Sequence, residues 1–72
     1  MSRALSPKKL LRSKWTAVKP ENKEKHFVVV EVDHDDSGTV ILCVLEAVYT
    51  QRSYAIDWRD LNDSRTWRAG WL

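Results

Sequence analysis

Phe27-Val28-Val29-Val30-Glu31-Val32, then His34-Asp35-Asp36-Ser37-Gly38, then Thr39-Val40-Ile41-Leu42-Cys43-Val44-Leu45-Glu46-Ala47-Val48-Tyr49, is the stretch that decides the fold. A β-branched run broken by a single charge fits a pleated strand better than a helix. The acidic segment after it ends in a glycine able to take positive φ, which predicts a tight hairpin. Strict alternation places Val28, Val30 and Val32 on one face, expected to be core, and Phe27, Val29, Glu31 and Asp33 on the other. The returning strand is apolar on both faces as far as Glu46, the pattern of a central strand covered on each side.

Working outward from this hairpin, Lys14-Trp15-Thr16-Ala17-Val18 predicts a short first strand over about 13–18, with Pro20 ending it by removing a ladder donor. Residues 20–25 read as a polar connection. On the other side, Thr50-Gln51-Arg52-Ser53 is a turn, and Tyr54, Ile56 and Trp58 alternate with polar or small residues as a fourth strand. Asp60 to Ser64 can form a helical turn, with Asp63 or Ser64 capping a further turn that carries Trp67. Trp67 and Trp71 are four apart and so share a face in a helix or a strand, although Gly70 opposes a continuous helix. Residues 1–9 read as a flexible lead-in and 10–72 as a single compact β domain. The expected architecture is all-β: a small SH3-like or Sm-like barrel, or a half-open antiparallel β-meander of four to five strands, with a short C-terminal helical turn. No pair of helices with an apolar stripe is available for a ferredoxin-like alternative.

Composition narrows the functional classes. Of 72 residues, 43% are hydrophobic and 31% charged, with Cys43 the single cysteine. This excludes an intramolecular disulfide and a Cys-based zinc site, and the apolar surroundings of Cys43 favour a buried, inert thiol. There is neither a secretory signal pattern nor an apolar run of membrane-spanning length, so a cytoplasmic location is the default. His26 and His34 bracket the second strand, roughly 26 Å apart at about 3.3 Å per residue, too far for a joint site. No nucleophile elbow, phosphate-binding glycine loop or His-Glu-x-x-His element is present. The expectation is therefore a protein with no catalytic role, metal or cofactor.

The net charge of +2 conceals an asymmetry: the first 26 residues carry eight Lys/Arg against Glu21 and Glu24, and the rest carry four Arg against eight carboxylates. Lys8, Lys9, Arg12 and Lys14 lead into Trp15, and Lys19, Lys23 and Lys25 follow it, the arrangement of a phosphate-tracking surface with a stacking ring. The plain counterpart is a solvated basic loop around a buried tryptophan. Three of the four tryptophans lie in the last fifteen residues. Each can bury some 200 Å², worth up to about 5 kcal/mol at ~25 cal/mol per Å². A small domain needs that energy, so Trp58 and Trp67 are assigned to structure. Trp71, one residue from the end, is the best candidate for a partner-facing ring. Arg59, Arg65 and Arg68 either stack on the indoles or pair with Asp57, Asp60 and Asp63.

The expected function is a non-enzymatic binding module for single-stranded RNA or DNA. Its candidate residues are Lys8, Lys9, Arg12, Lys14, Trp15, Lys23, Lys25, His26, Arg65, Arg68 and Trp71. The alternative is a protein–protein adaptor or assembly subunit with no nucleic-acid role. No membrane partner is expected, and the chain is read as a monomer or weak homodimer.

Lys9-Leu10-Leu11-Arg12-Ser13-Lys14-Trp15-Thr16-Ala17-Val18, Lys23-Glu24-Lys25-His26-Phe27, Glu46-Ala47-Val48, and Ile56-Asp57-Trp58-Arg59 through Trp67, Gly70 and Trp71 resemble the small Trp-rich bacterial and cyanobacterial proteins of unknown function. The resemblance covers about residues 9–72. It implies one compact domain per chain, with no assigned activity, cofactor or substrate, and it supplies no catalytic residue.

Overall fold

Two antiparallel hairpins share their central strand and build the sheet from its centre outward. The computed structural model describes residues 7–72; the first six residues of the expected lead-in, Arg3 included, lie outside the described residues. A 3₁₀ turn over Pro7–Lys9 opens the described chain, with Pro7 at the first helical position, where a missing N–H costs nothing. The strands are β1 (Lys14–Glu21), β2 (Glu24–His34), β3 (Val40–Ala47), β4 (Ser53–Ile56) and β5 (Trp67–Ala69). A second 3₁₀ turn, Trp58–Asn62, lies between β4 and β5. The spatial order is β4-β3-β2-β1-β5, and all pairings are antiparallel. The two edges are not joined to each other, so the half-open meander describes the molecule and the closed barrel does not. Overall extents of 37 × 30 × 15 Å reflect a single sheet with partial cover.

The inner face of the sheet is set by Trp15, Phe27, Val29, Cys43, Leu45 and Ala47, joined in the core by Leu10 and Leu61 from outside the strands. This reverses the expected faces of β2 before its bulge, while Val32 is on the inner side as expected. Phe27 and Val29 are core, and a bulge between Val29 and Glu31 adds one residue, which returns Val32 to the same inner face. Simple alternation fails across such a bulge because the side-chain period is broken there. Cys43 is buried as expected, and burial pushes its thiol up.

Other boundaries also moved. β1 runs through Pro20, because the β1–β2 register is interrupted between Thr16 and Glu21 and the β1–β5 register ends at Ala17. A proline is tolerated where no ladder bond is demanded. The polar connection is reduced to Asn22 and Lys23, both at positive φ (55° and 63°) between the paired Glu21 and Glu24, the signature of a type I′ hairpin turn. The second hairpin turn matches expectation. Asp35 Oδ1 accepts from the Ser37 and Thr39 amides and the Ser37 hydroxyl, and Gly38 sits at φ 85°.

Trp58 does not extend β4. Asp57 caps the 3₁₀ turn by accepting from the Arg59 amide, so the helical turn starts two residues earlier than expected. Asp63 repeats the arrangement, accepting from the Arg65 amide. Trp58 and Trp67 are both partly buried and pack against the core. The outer face of β3 is not covered by the Trp-rich tail, which lies elsewhere.

Candidate functional site: two faces of one sheet

The antiparallel register brings distant basic residues together. Lys14 pairs with Val28, and Thr16 with both His26 and Arg68, so Lys14, Thr16, His26 and Arg68 project from the outer face of β5-β1-β2. Gly70, at φ 82°, turns the chain after β5 and carries Trp71 across to this face. Trp67 therefore packs on the inner face, edge-on to Phe27 at 5.1 Å, while Trp71 lies on the outer one. The expectation that the two rings share a face is corrected by that left-handed glycine, a conformation which L side chains rarely adopt.

The tail is held by named bonds. Thr16, 4% exposed, donates through its hydroxyl to the Gly70 carbonyl at 2.6 Å and accepts from the Leu72 amide at 3.0 Å. The Trp71 indole N–H donates to the Phe27 carbonyl at 2.9 Å. His26 Nε2 lies 2.9 Å from the Leu72 carbonyl oxygen, and the His26 and Trp71 rings are 6.0 Å apart. The Lys14 ammonium stands 4.8 Å from the centre of the Trp71 ring, within cation–π range. Trp71 nevertheless remains 44% exposed. It is a ring fixed at its polar edge and open to solvent, with the His26 ring and the Lys14 ammonium beside it.

The remaining candidates divide. Trp15 is withdrawn as a stacking residue: it is 3% exposed in the core, and its indole N–H donates to the Ser13 hydroxyl. Lys8 and Lys9 are exposed on the first 3₁₀ turn, and Arg12 is exposed at φ 71°, its amide donating to the Val29 carbonyl. Lys23 occupies the β1–β2 turn and Lys25 follows it at the start of β2, apart from the outer-face cluster. Arg65 is ion-paired with Asp63 at 3.1 Å, as Arg59 is with Asp57 at 2.8 Å. Both pairs are exposed, and solvent screening leaves such pairs little weight in stability.

Sequence reasoning missed a second feature, on the inner face. Leu10 and Leu61 cover only part of the sheet. The uncovered part is a cleft of about 720 Å³ with Ala17, Phe27, Leu45 and Ile56 as its apolar base. Tyr54 and Trp67 line it as well, with Lys19, Glu21, Asn22, Glu24, Asp63, Arg65 and Thr66 supplying polar groups. Glu24 is 5% exposed; its carboxylate accepts from the Thr50 hydroxyl and, at 2.6 Å, from the Tyr54 hydroxyl. Those two donors, Thr50 first and Tyr54 second, hold its carboxyl below the ordinary carboxylate range, with a smaller contribution from the Arg52 charge. In return, the carboxylate pushes the Tyr54 phenol up. The partners are 26 and 30 residues away in sequence, so nothing near Glu24 signals the network.

Among the described residues no cluster of three or more His, Cys, Asp and Glu is arranged to hold a metal ion, and no helix is long and apolar enough to cross a membrane. No curated protein and no solved structure gives a significant match to the chain. The model of the family described as Tryptophan-rich protein (DUF2389) matches residues 13–72. That span holds all five strands, all four tryptophans and both faces of the sheet, and the chain belongs to this Trp-rich family.

Proposed function

We propose that this protein is a non-catalytic binding module that takes single-stranded nucleic acid on the outer face of β5-β1-β2. The observation that carries the reading is the convergence of Lys14, His26, Arg68 and the half-exposed Trp71, gathered from three strands and the tail onto one surface. A base stacks on an exposed indole whatever its sequence, and adjacent cations neutralise the backbone phosphates. Lys8, Lys9 and Arg12, exposed just ahead of β1, extend the positive charge beyond the cluster. Strand addition by a protein partner has less to use, since the two edge strands span only four and three residues.

The test is a tryptophan-fluorescence titration with oligo-uridylate and oligo-thymidylate at two salt concentrations. Quenching is expected. Affinity should fall about tenfold between 50 and 200 mM salt if two to three phosphates are neutralised, and Trp71→Ala should abolish most of the quench. No response to either polymer at the lower salt overturns the proposal and leaves the protein-adaptor reading.

A further inference from the structure

The inner-face cleft lies on the side of the sheet opposite Trp71, so the outer-face reading does not account for it. Its aromatic lining has a defined geometry. Phe27 stands at the base, Trp67 meets it at an interplanar angle of 89° with centroids 5.1 Å apart, and Tyr54 meets it at 63° and 6.3 Å. Two rings thus stand across a third instead of stacking on it. Rings set at steep angles to one another present faces and edges from several directions to one volume, the arrangement that surrounds an ammonium group.

The polar groups add charge to this box. Tyr54 donates its hydroxyl to Glu24, which ties a carboxylate to the rim of the same cleft and enriches the phenol ring in electron density. Of the five charged groups that line it among the described residues, Asp63 and Arg65 form an ion pair, and the charge of Lys19 offsets one of the two on Glu21 and Glu24. The lining therefore carries one negative charge in excess. The Arg52 guanidinium acts on Glu24 through its charge and on Tyr54 through a hydrogen bond as well as its charge, but it is not part of the lining. A volume of about 720 Å³ exceeds what a bare ammonium head group fills. The rim offers Asn22 and Thr66, which suit the amide groups of a chain carrying that head group.

We infer that the cleft bounded by Phe27, Tyr54, Trp67 and Glu24 is a binding site for the ammonium-bearing side chain of a partner polypeptide, lysine or its methylated forms. The base of Phe27, Leu45, Ala17 and Ile56 receives the aliphatic stem, the rings face the cation, and Glu24 supplies the opposing charge. This site is independent of the outer-face proposal and stands or falls without it.

The experiment is an NMR titration of the whole chain, followed at the Trp67 indole N–H, with a short glycine-flanked peptide carrying one trimethyllysine. The same peptide with a tert-butyl group in place of the trimethylammonium serves as the neutral isostere, and choline as the free small cation. Saturable shifts of Trp67 are expected, with the neutral isostere weaker by about tenfold or more, as a desolvated cation–π contact requires. The peptide should also bind more tightly than choline. Tyr54→Ala and Glu24→Gln should each reduce peptide affinity several-fold; the comparison of ligands on the unaltered protein holds even if a variant folds poorly. Equal binding of charged and neutral peptides, or no movement of Trp67, overturns the site. A peptide no tighter than choline overturns its assignment to a polypeptide.

Discussion

Among the described residues, Glu24 and Thr16 are the two buried polar ones, and both act through partners remote in sequence. For Glu24 the consequence is a dependence on pH. Its carboxyl is held below the ordinary range in the folded state, so its contribution to stability is present above that range and is lost as pH falls through the folded value. Thermal unfolding of Glu24→Gln should thus lie below that of the wild type at neutral pH, and the gap should close as the solution is acidified below the ordinary carboxylate range. A gap constant with pH would refute the assignment. Thr16→Val removes a donor to the Gly70 carbonyl and an acceptor for the Leu72 amide. Denaturant unfolding should show a loss of about 1–3 kcal/mol, and Trp71 emission should shift towards that of a fully solvated indole. Neither residue was legible as important in the sequence. Glu24 reads as one more charge in a polar loop, and Thr16 as a β-former beside a tryptophan. Trp15 misled in the other direction, because lysines in sequence do not reveal on which face of a strand the ring between them falls.

At the level of elements, the hairpin centred on Gly38 was legible because an acidic turn with glycine has local chemistry that few other structures use. The β1–β2 turn was not. Asn22 and Lys23 adopt positive φ without a glycine, so the chain accepts strain where the sequence shows only a polar run. Lys23→Gly should relieve it and raise stability by roughly 0.5–1 kcal/mol in a denaturant titration. The bulge in β2 was equally hidden: Val28, Val29 and Val30 are chemically alike, so only packing decides which of them faces the core. The second 3₁₀ turn contributes one buried side chain, Leu61. Leu61→Ala should cost about 2–5 kcal/mol, measured by the same titration. The tail divides into two parts with different roles. Removing Gly70 to Leu72 should leave cooperative unfolding intact, whereas removing Trp67 to Leu72 also deletes β5 and the edge-on partner of Phe27 and should abolish it.

The whole molecule is a sheet of three long central strands and two short edge strands, with one face partly packed and the other partly clasped by the tail. The all-β class followed from β-branched runs punctuated by turn residues. The open edge between β4 and β5, the cleft and the crossing of Trp71 did not, since each depends on where strands far apart in sequence come to lie. The four tryptophans now serve three purposes: Trp15 and Trp58 in or against the core, Trp67 between core and cleft, and Trp71 on the outer face. Their indole N–H resonances therefore report on the two faces separately. The most direct test of the outer-face account is to follow all four resonances while oligo-uridylate is added at low salt. The account predicts a saturable shift of Trp71 with Trp15, Trp58 and Trp67 nearly still; movement of Trp67 without Trp71, or no movement at all, would contradict it.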